Sequence, residues 1–281
     1  MYSSTVSDLV AWLKGHETEM LRLLEQAVNV DSGSRYKAGV DRVGDLFQEH
    51  LDRAGIRTSR HRQAAHGDCV LAEVAGAADA SDGYVLLGHM DTVFPEGTAH
   101  ARPFRTDGVM AYGPGVADMK AGLVMNTFIA RAFAELGGNT APIRVLYTGD
   151  EEIASPSSRQ LTMDIASRAL AVFNAEPGRL SGNVVSGRKG AFFIDFEVDG
   201  VAAHAGVNHD NGASAIEALA RKIVDLHKLT DRQAGITANV GTLRGGMSVN
   251  TVAAHAMAQL DAYSPREPLA RARGRRPAQG Q

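Results

Sequence analysis

The sequence predicts an α/β fold in which a first domain with a mostly parallel sheet is followed by a small two-layer α+β domain. Three observations predict it. The runs YVLLGHMD (84–91), PIRVLYTGDEE (142–152) and RALAVFNAEP (168–177) read as buried strands, apolar on both faces, and a helical stretch separates the first two. After about Ser186 the pattern changes to half-polar alternation at period two, the mark of a sheet covered on one face only. The length, 281 residues, suits two domains at about 100–200 residues each.

Taken in order, Val6, Leu9, Val10 and Leu13, then Met20, Leu21, Leu24 and Val28, recur at helical steps. A second amphipathic helix spans about Ala38 to Ala54, with Val40, Val43, Leu46, Phe47 and Leu51 on one face. A strand at Cys69–Val74 leads into AGAADASDG, which is hairpin or loop material. The helix from about Lys120 to Leu136 is closed by Gly137-Gly138. In the second domain, strands at Ala191–Gly200, Ile236–Arg244 and Ala254–Tyr263 flank a helix at Ala213–Leu229, and another helix begins near Pro265. The boundary falls near Gly187, giving domains 1–186 and 187–263. The Arg- and Pro-rich tail 264–281, with Arg266, Arg271, Arg273, Arg275 and Arg276, reads as a solvated end rather than a nucleic-acid arm.

Composition narrows the class. The chain is 44% hydrophobic and 22% charged, an ordinary globular balance. Cys69 is the single cysteine, which excludes a disulfide framework and a multi-cysteine zinc cage. A net charge of −3 gives no pull towards nucleic acid or anionic membranes. The opening MYSSTVSDLVAWLKGHETEM lacks a basic head followed by a long apolar core, and no stretch approaches the roughly 20 apolar residues that span a bilayer. The expectation is a cytoplasmic protein with no nucleic-acid or membrane partner.

The chemistry-bearing residues cluster at strand ends, where open α/β sheets bind ligands. His89-Met-Asp91 ends the first run; residues two apart share a strand face, so Asp91 can orient the imidazole and hold its tautomer. Asp118 lies in GPGVADMKAG, a glycine-rich loop entering a helix; Walker spacing is absent, leaving a helix cap or a carboxylate that bridges two cations. Asp150-Glu151-Glu152 ends the second run, and a turn must begin there if both glutamates serve one site. Asn174-Ala-Glu176-Pro177 places a further carboxylate where proline stops the ladder. Each motif alone also reads as a surface pair, a turn or a solvated loop. As a set, one histidine and several carboxylates suit zinc, and less specifically cobalt or manganese.

LLGHMDTVFPEGT, AYGPGVADMKAG, TGDEE and NAEPG, in that order, resemble the dinuclear zinc exopeptidases and deacylases, the family of glutamate carboxypeptidase, aminoacylase, succinyl-diaminopimelate desuccinylase and dipeptidases. FRTDGVMAYGPG and AAHAG are most similar to the glutamate carboxypeptidase branch, and the resemblance covers about Leu9 to Asp261. It implies a three-layer catalytic domain with a lid and dimerisation domain, two zinc ions per site, and hydrolysis of a peptide or N-acyl amino acid by metal-activated water. It also implies roles: His89 on one zinc with Asp91 orienting it, Asp118 bridging both, Glu151 as general base, Glu152 on the second zinc and Glu176 on the first. A cis peptide at Asp118–Met119, His204 as the oxyanion donor reaching a partner subunit, and Asn250 as a substrate contact complete the set.

The chain departs from the family after the lid. The family's C-terminal segment supplies a further zinc-ligand histidine with no counterpart here, and Leu260-Asp261 is followed by Ala262-Tyr263 where the family carries an arginine. The first zinc keeps His89, Asp118 and Glu176; the second keeps Asp118 and Glu152. Two readings follow: a zinc-dependent amidohydrolase, or a truncated, non-catalytic relative that binds at most one metal and dimerises.

Overall fold

The computed structural model describes residues 6–77 and 82–265. They divide into two units, Met1–Asn183 and Val184–Gln281, so the division lies just before the expected Gly187.

In the first unit the opening helical stretch is two helices, α1 (Val6–Gly15) and α2 (Glu17–Val28), instead of one. Glycine is a poor helix former, and His16 leaves the helix after Gly15 with its ring turned back: Nδ1 lies 2.7 Å from the Trp12 carbonyl oxygen and the ring stacks on Trp12 at 3.7 Å. Helix α3 (Lys37–Arg53) buries Val40, Val43, Phe47 and Leu51, the face its spacing marks. Strand β1 (Arg57–His61) has no sequence-level counterpart. Its RTSRH carries no aliphatic residue, because it is a polar edge strand paired antiparallel with β2 (Cys69–Val74).

Strand β3 (Gly83–His89) is followed by the short helix α4 (Thr98–Ala101), the hairpin β4 (Arg105–Thr106) and β5 (Ala111–Tyr112), and helix α5 (Ala121–Leu136). Gly137 (φ 69) and Gly138 (φ 97) close α5 in backbone regions that L side chains avoid. Strand β6 (Ile143–Thr148), helix α6 (Arg159–Ala166) and strand β7 (Ala169–Asn174) complete the unit. The sheet order is β1-β2-β6-β3-β7. Pairs β6–β3 and β3–β7 are parallel and β2–β6 and β1–β2 antiparallel, so every strand except β2 runs the same way.

Helices on both faces make three layers. One face packs Leu23, Val43, Phe47, Phe128, Val145 and Tyr147; the other packs Cys69, Val85 and Leu146 beneath Leu161 and Ile165 of α6. One expectation fails here. The 168–177 run is a strand but not a buried one: β7 is an edge, and Leu170, Val172 and Phe173 are 59%, 41% and 55% exposed. An apolar run reports what a strand is fit to bury, not whether a neighbour covers it.

The second unit runs β8 (Gly190–Asp199), α7 (Ala215–His227), β9 (Thr237–Gly245) and β10 (His255–Ser264), the strand–helix–strand–strand order read from the sequence. Its antiparallel sheet, ordered β8-β10-β9, is covered by α7, which buries Ala215 and Leu219 against Ala256 and Ala258. Ser214 caps α7, its hydroxyl accepting the Glu217 N–H at 3.2 Å. The helix expected beyond Pro265, the arginine tail, and the centre of the AGAADASDG stretch lie outside the described residues.

Candidate metal centre

Strand register gathers the first group of polar residues. His89 ends β3 opposite Thr148 of β6, so the Asp150-Glu151-Glu152 turn starts beside it. Leu87 pairs with Asn174 of β7, and the Ala175 N–H continues to the Leu87 carbonyl at 3.2 Å, carrying Glu176 to the same sheet edge. Three parallel strands thus deliver their carboxyl ends to one place. Asp118 arrives from the loop before α5. There Gly115 (φ 70) fits where a Cβ would meet the Thr92 methyl at 2.5 Å, and the Asp118–Met119 peptide bond is cis.

His89 is 2% exposed, and its Nε2 lies 3.3 Å from Asp118 Oδ1, 3.7 Å from Glu176 Oε1 and 3.9 Å from Glu151 Oε2. One ligand atom each from His89, Asp118 and Glu176 fall within 4.8 Å of one another, and among the described residues this is the one such group of three. His89 Nδ1 faces the Asp91 carbonyl oxygen at 3.0 Å. Donation by Nδ1–H to that carbonyl leaves the Nε2 lone pair facing the carboxylates, the tautomer a metal ligand needs.

Asp91 reaches the imidazole with two oxygens: its carboxylate Oδ1 is 3.4 Å from Nδ1 and its own carbonyl is nearer, at 3.0 Å. The strand has ended at His89, the chain turns, and the carboxylate is shared with other segments: Oδ2 accepts Ser34 Oγ–H at 2.7 Å and the Glu152 N–H at 3.1 Å, and Oδ1 accepts the Glu151 N–H at 3.1 Å. Glu151 and Glu152 open a single 3-10 turn, Glu151–Ile153, the turn their joint use requires. Asp150, 1% exposed, shapes it from behind, its Oδ2 accepting the N–H groups of Ser157 at 2.6 Å and Ser158 at 3.1 Å.

The electrostatics are those of a site short of positive charge. Burial is the largest influence on Glu152 and pushes its carboxyl up to about 7, with Asp118, Asp91 and Glu151 adding repulsion and His89 opposing. Burial likewise raises Glu176, with Asp118 and Glu151 adding to it and His89 opposing. For His89 burial is the largest single influence and favours the neutral ring, yet Asp91, Glu176 and Glu151 together outweigh it and lift the imidazole to about 9. The donor set therefore fits a divalent cation: a nitrogen and carboxylate oxygens converge, and excess negative charge goes unbalanced without one. His89, Asp118 and Glu176 are the residues able to hold it. Glu152 feels the same charges but is not part of that three-donor group.

His204 and Asn250 belong to the second unit and lie together within it. The Ala205 N–H bonds the Asn250 carbonyl at 2.9 Å, and His204 and Thr251 form an antiparallel bridge. Both side chains are exposed; His204 Nδ1 accepts the Gly206 N–H at 3.2 Å, and Asn250 Oδ1 accepts Ser248 Oγ–H at 2.8 Å.

Two residues around the centre are given no role by the motifs, Ser34 and Lys120. Lys120 is 1% exposed, with Nζ 2.9 Å from the Val30 carbonyl oxygen. Burial pushes its ammonium down to about 8 against the opposing charge of Asp31. The available signals were a Ser-Gly-Ser loop after an amphipathic helix and a lysine two places beyond Asp118, neither of which has ligand spacing.

The model of peptidase family M20/M25/M40 matches residues 85–260. Carboxypeptidase G2 of Pseudomonas sp. is 28% identical over 246 residues, covering 86% of this chain and 59% of the relative. Acetylornithine deacetylase of Myxococcus xanthus is 29% identical over 228 residues, covering 74% and 57%. The chain thus spans less than two thirds of the length of these relatives. Among solved structures, the Bacillus subtilis YXEP protein, described as a dinuclear metal binding peptidase from the M20 family, superimposes with a TM-score of 0.60 at 15% identity, covering 90% of this chain and 66% of that one. More than half of the chain, including every strand end that carries the metal-site residues, lies within the family match, and the chain belongs to peptidase family M20/M25/M40.

Proposed function

We propose that this chain is a zinc-dependent amide hydrolase of the carboxypeptidase or deacylase type, acting on a small peptide or an N-acyl amino acid. The observation that carries the reading is the convergence of His89, Asp118 and Glu176 at the carboxyl ends of parallel strands. When bound, the cation supplies Lewis acidity towards the scissile carbonyl and the attacking water. The protein residues do the rest. The Asp91 carbonyl, 3.0 Å from His89 Nδ1, would hold the ring with Nε2 turned to the cation. Asp118 would be shared between two zinc ions, with Glu176 on the first and Glu152 on the second. Glu151, 49% exposed and beside His89, takes the proton from water and returns it to the departing amine. His204 is assigned to steadying the oxyanion in a partner subunit's site and Asn250 to contacting substrate, in a homodimer formed through the second unit. Among the described residues no helix is long and apolar enough to cross a membrane. We place the protein in the cytoplasm, without a nucleic-acid or membrane partner.

The second reading, a one-metal, non-catalytic relative, is favoured by a specific observation: a second cation would have Asp118 and Glu152 but no further donor grouped with them among the described residues. Metal content and turnover of N-acyl-glutamate substrates decide between the two. Two metals per chain with chelator-sensitive hydrolysis, lost by about 10²–10⁴-fold in Glu151→Gln with metal retained, supports the hydrolase. One metal or none without turnover supports the second reading.

A further inference from the structure

We propose that Ser34 is a positioning residue of this centre: its hydroxyl fixes the Asp91 carboxylate, and that carboxylate fixes the turn bearing Glu151 and Glu152. The chemical roles of the two glutamates rest on the proposed function; the positioning itself does not.

A carboxylate offers about four lone-pair sites, and those of Asp91, fully buried, are engaged from three separate segments. Ser34 Oγ donates to Oδ2 at 2.7 Å, the Glu152 N–H to Oδ2 and the Glu151 N–H to Oδ1 at 3.1 Å each, and His89 Nδ1 stands 3.4 Å from Oδ1. The shortest of these comes from Ser34. Hydrogen bonds to an ionised acceptor are the stronger kind. Removing this one frees the carboxylate to rotate about its last torsion, and the two glutamate amides lose a fixed acceptor.

Ser34 is itself held in place. It is 6% exposed, its N–H bonds the Thr92 carbonyl at 3.2 Å, and the Thr92 N–H bonds the Ser32 carbonyl at 2.9 Å, a short parallel pairing beside the end of β3. Gly33 permits that approach, since a Cβ there would stand 2.5 Å from the Phe94 carbonyl oxygen. Upstream, Lys120 Nζ holds the Val30 carbonyl at 2.9 Å, and the Asp31 carboxylate accepts the Gly97 and Ala99 N–H groups at 2.7 Å each. The loop from Val30 to Ser34 is thus anchored along its length, next to both Asp91 and the Asp118 loop. An internal comparison lies two residues away: Ser32 Oγ is also buried, but makes no hydrogen bond among the described residues.

The test uses the full chain, metal-free, and reads hydrogen–deuterium exchange of the peptide covering 149–155. Ser34→Ala should speed exchange of the Glu151 and Glu152 amides by about tenfold or more, with α3 and β2 amides unchanged. Ser32→Ala should leave all of them at the wild-type rate. Asp91→Asn, approaching the same contact from the other side, should accelerate the same two amides, and combining it with Ser34→Ala should add little further. Wild-type exchange at Glu151 and Glu152 in Ser34→Ala, or an equal effect from Ser32→Ala, overturns the proposal. Should Ser34→Ala not fold, the Asp91→Asn profile decides: no acceleration confined to the 149–155 turn also overturns it. Zinc affinity measured by chelator competition is read in parallel. A wild-type chain that takes up no zinc defeats the proposed function, while the exchange comparison still decides the role of Ser34.

Discussion

Replacing Gly122 with alanine sets two effects of opposite sign against each other. Gly122 lies in the first turn of α5. By helix propensity alone, Gly→Ala should stabilise the protein by about 1 kcal/mol. The structure predicts the reverse. A Cβ at Gly122 would overlap the Ala175 carbonyl oxygen, 3.1 Å from its carbon and 2.9 Å from Met119 Cε. The methionine can move, but the carbonyl is backbone, held by the bond from the Ala175 N–H to Leu87 and followed at once by Glu176. Overpacking of this kind costs about 1–3 kcal/mol, so the net change is a loss of up to about 2 kcal/mol. For a unit of this size that lowers Tm by up to roughly 4–8 °C. Relief requires pushing the Ala175–Glu176 segment away from α5, which draws Glu176 off its position near His89 and should weaken divalent-cation binding by at least about tenfold. Gly15, with nothing within 4 Å of its would-be Cβ, is the control, and Gly15→Ala should not destabilise. Thermal unfolding of the metal-free variants, with zinc affinity from chelator competition, gives both quantities. A Gly122→Ala protein that melts higher than wild type and binds zinc normally refutes the reasoning.

Other consequences are equally direct. Adding zinc at 100 times its Kd should stabilise the chain by about 2.7 kcal/mol, an increment erased by chelator and by His89→Ala, read as a shift in unfolding midpoint. The Cys69 thiol is buried, and burial, helped by the Asp150 charge, pushes it up to about 11 from an ordinary 9.0. Its contribution is complete below pH 9 and is lost as pH rises towards 11, by up to about 2–3 kcal/mol; urea unfolding at pH 8 and 10.5 should show this loss in wild type and a smaller one in Cys69→Ala. Asp68 behaves oppositely. Burial raises its carboxyl, but Lys37, the Gln63 N–H and Arg62 hold it below the usual carboxylate range. Its stabilisation is present above pH 3.8 and disappears as pH falls through the lowered value, so Asp68→Asn should flatten acid unfolding below pH 4.

Much of the fold was legible because periodicity and strand ends are local. The apolar face of α3, the extent of α5, the β2 and β6 runs and the order of the second unit follow from local pattern; His89, Glu151, Glu152 and Glu176 were singled out because each stands where an apolar run stops, and Asp118 because it lies in a glycine-rich loop that opens a helix. Strand β1 was not legible, since an edge strand needs no apolar signal. The break at His16 depends on a ring that stacks on Trp12, a contact that helical spacing cannot show.

The sequence by itself determined which residues carry acid, imidazole and hydroxyl groups, and where the chain may be helix or strand, because these depend on side-chain type and near neighbours. Only the tertiary structure decided that β7 is an uncovered edge, that the Asp91 carboxylate serves Ser34 and the glutamate turn as well as His89, and that Lys120 is buried against Val30. Those outcomes are set by register and close approach between segments tens of residues apart, where a hydrogen bond's partner is chosen by geometry within about 3 Å and not by anything adjacent in the chain.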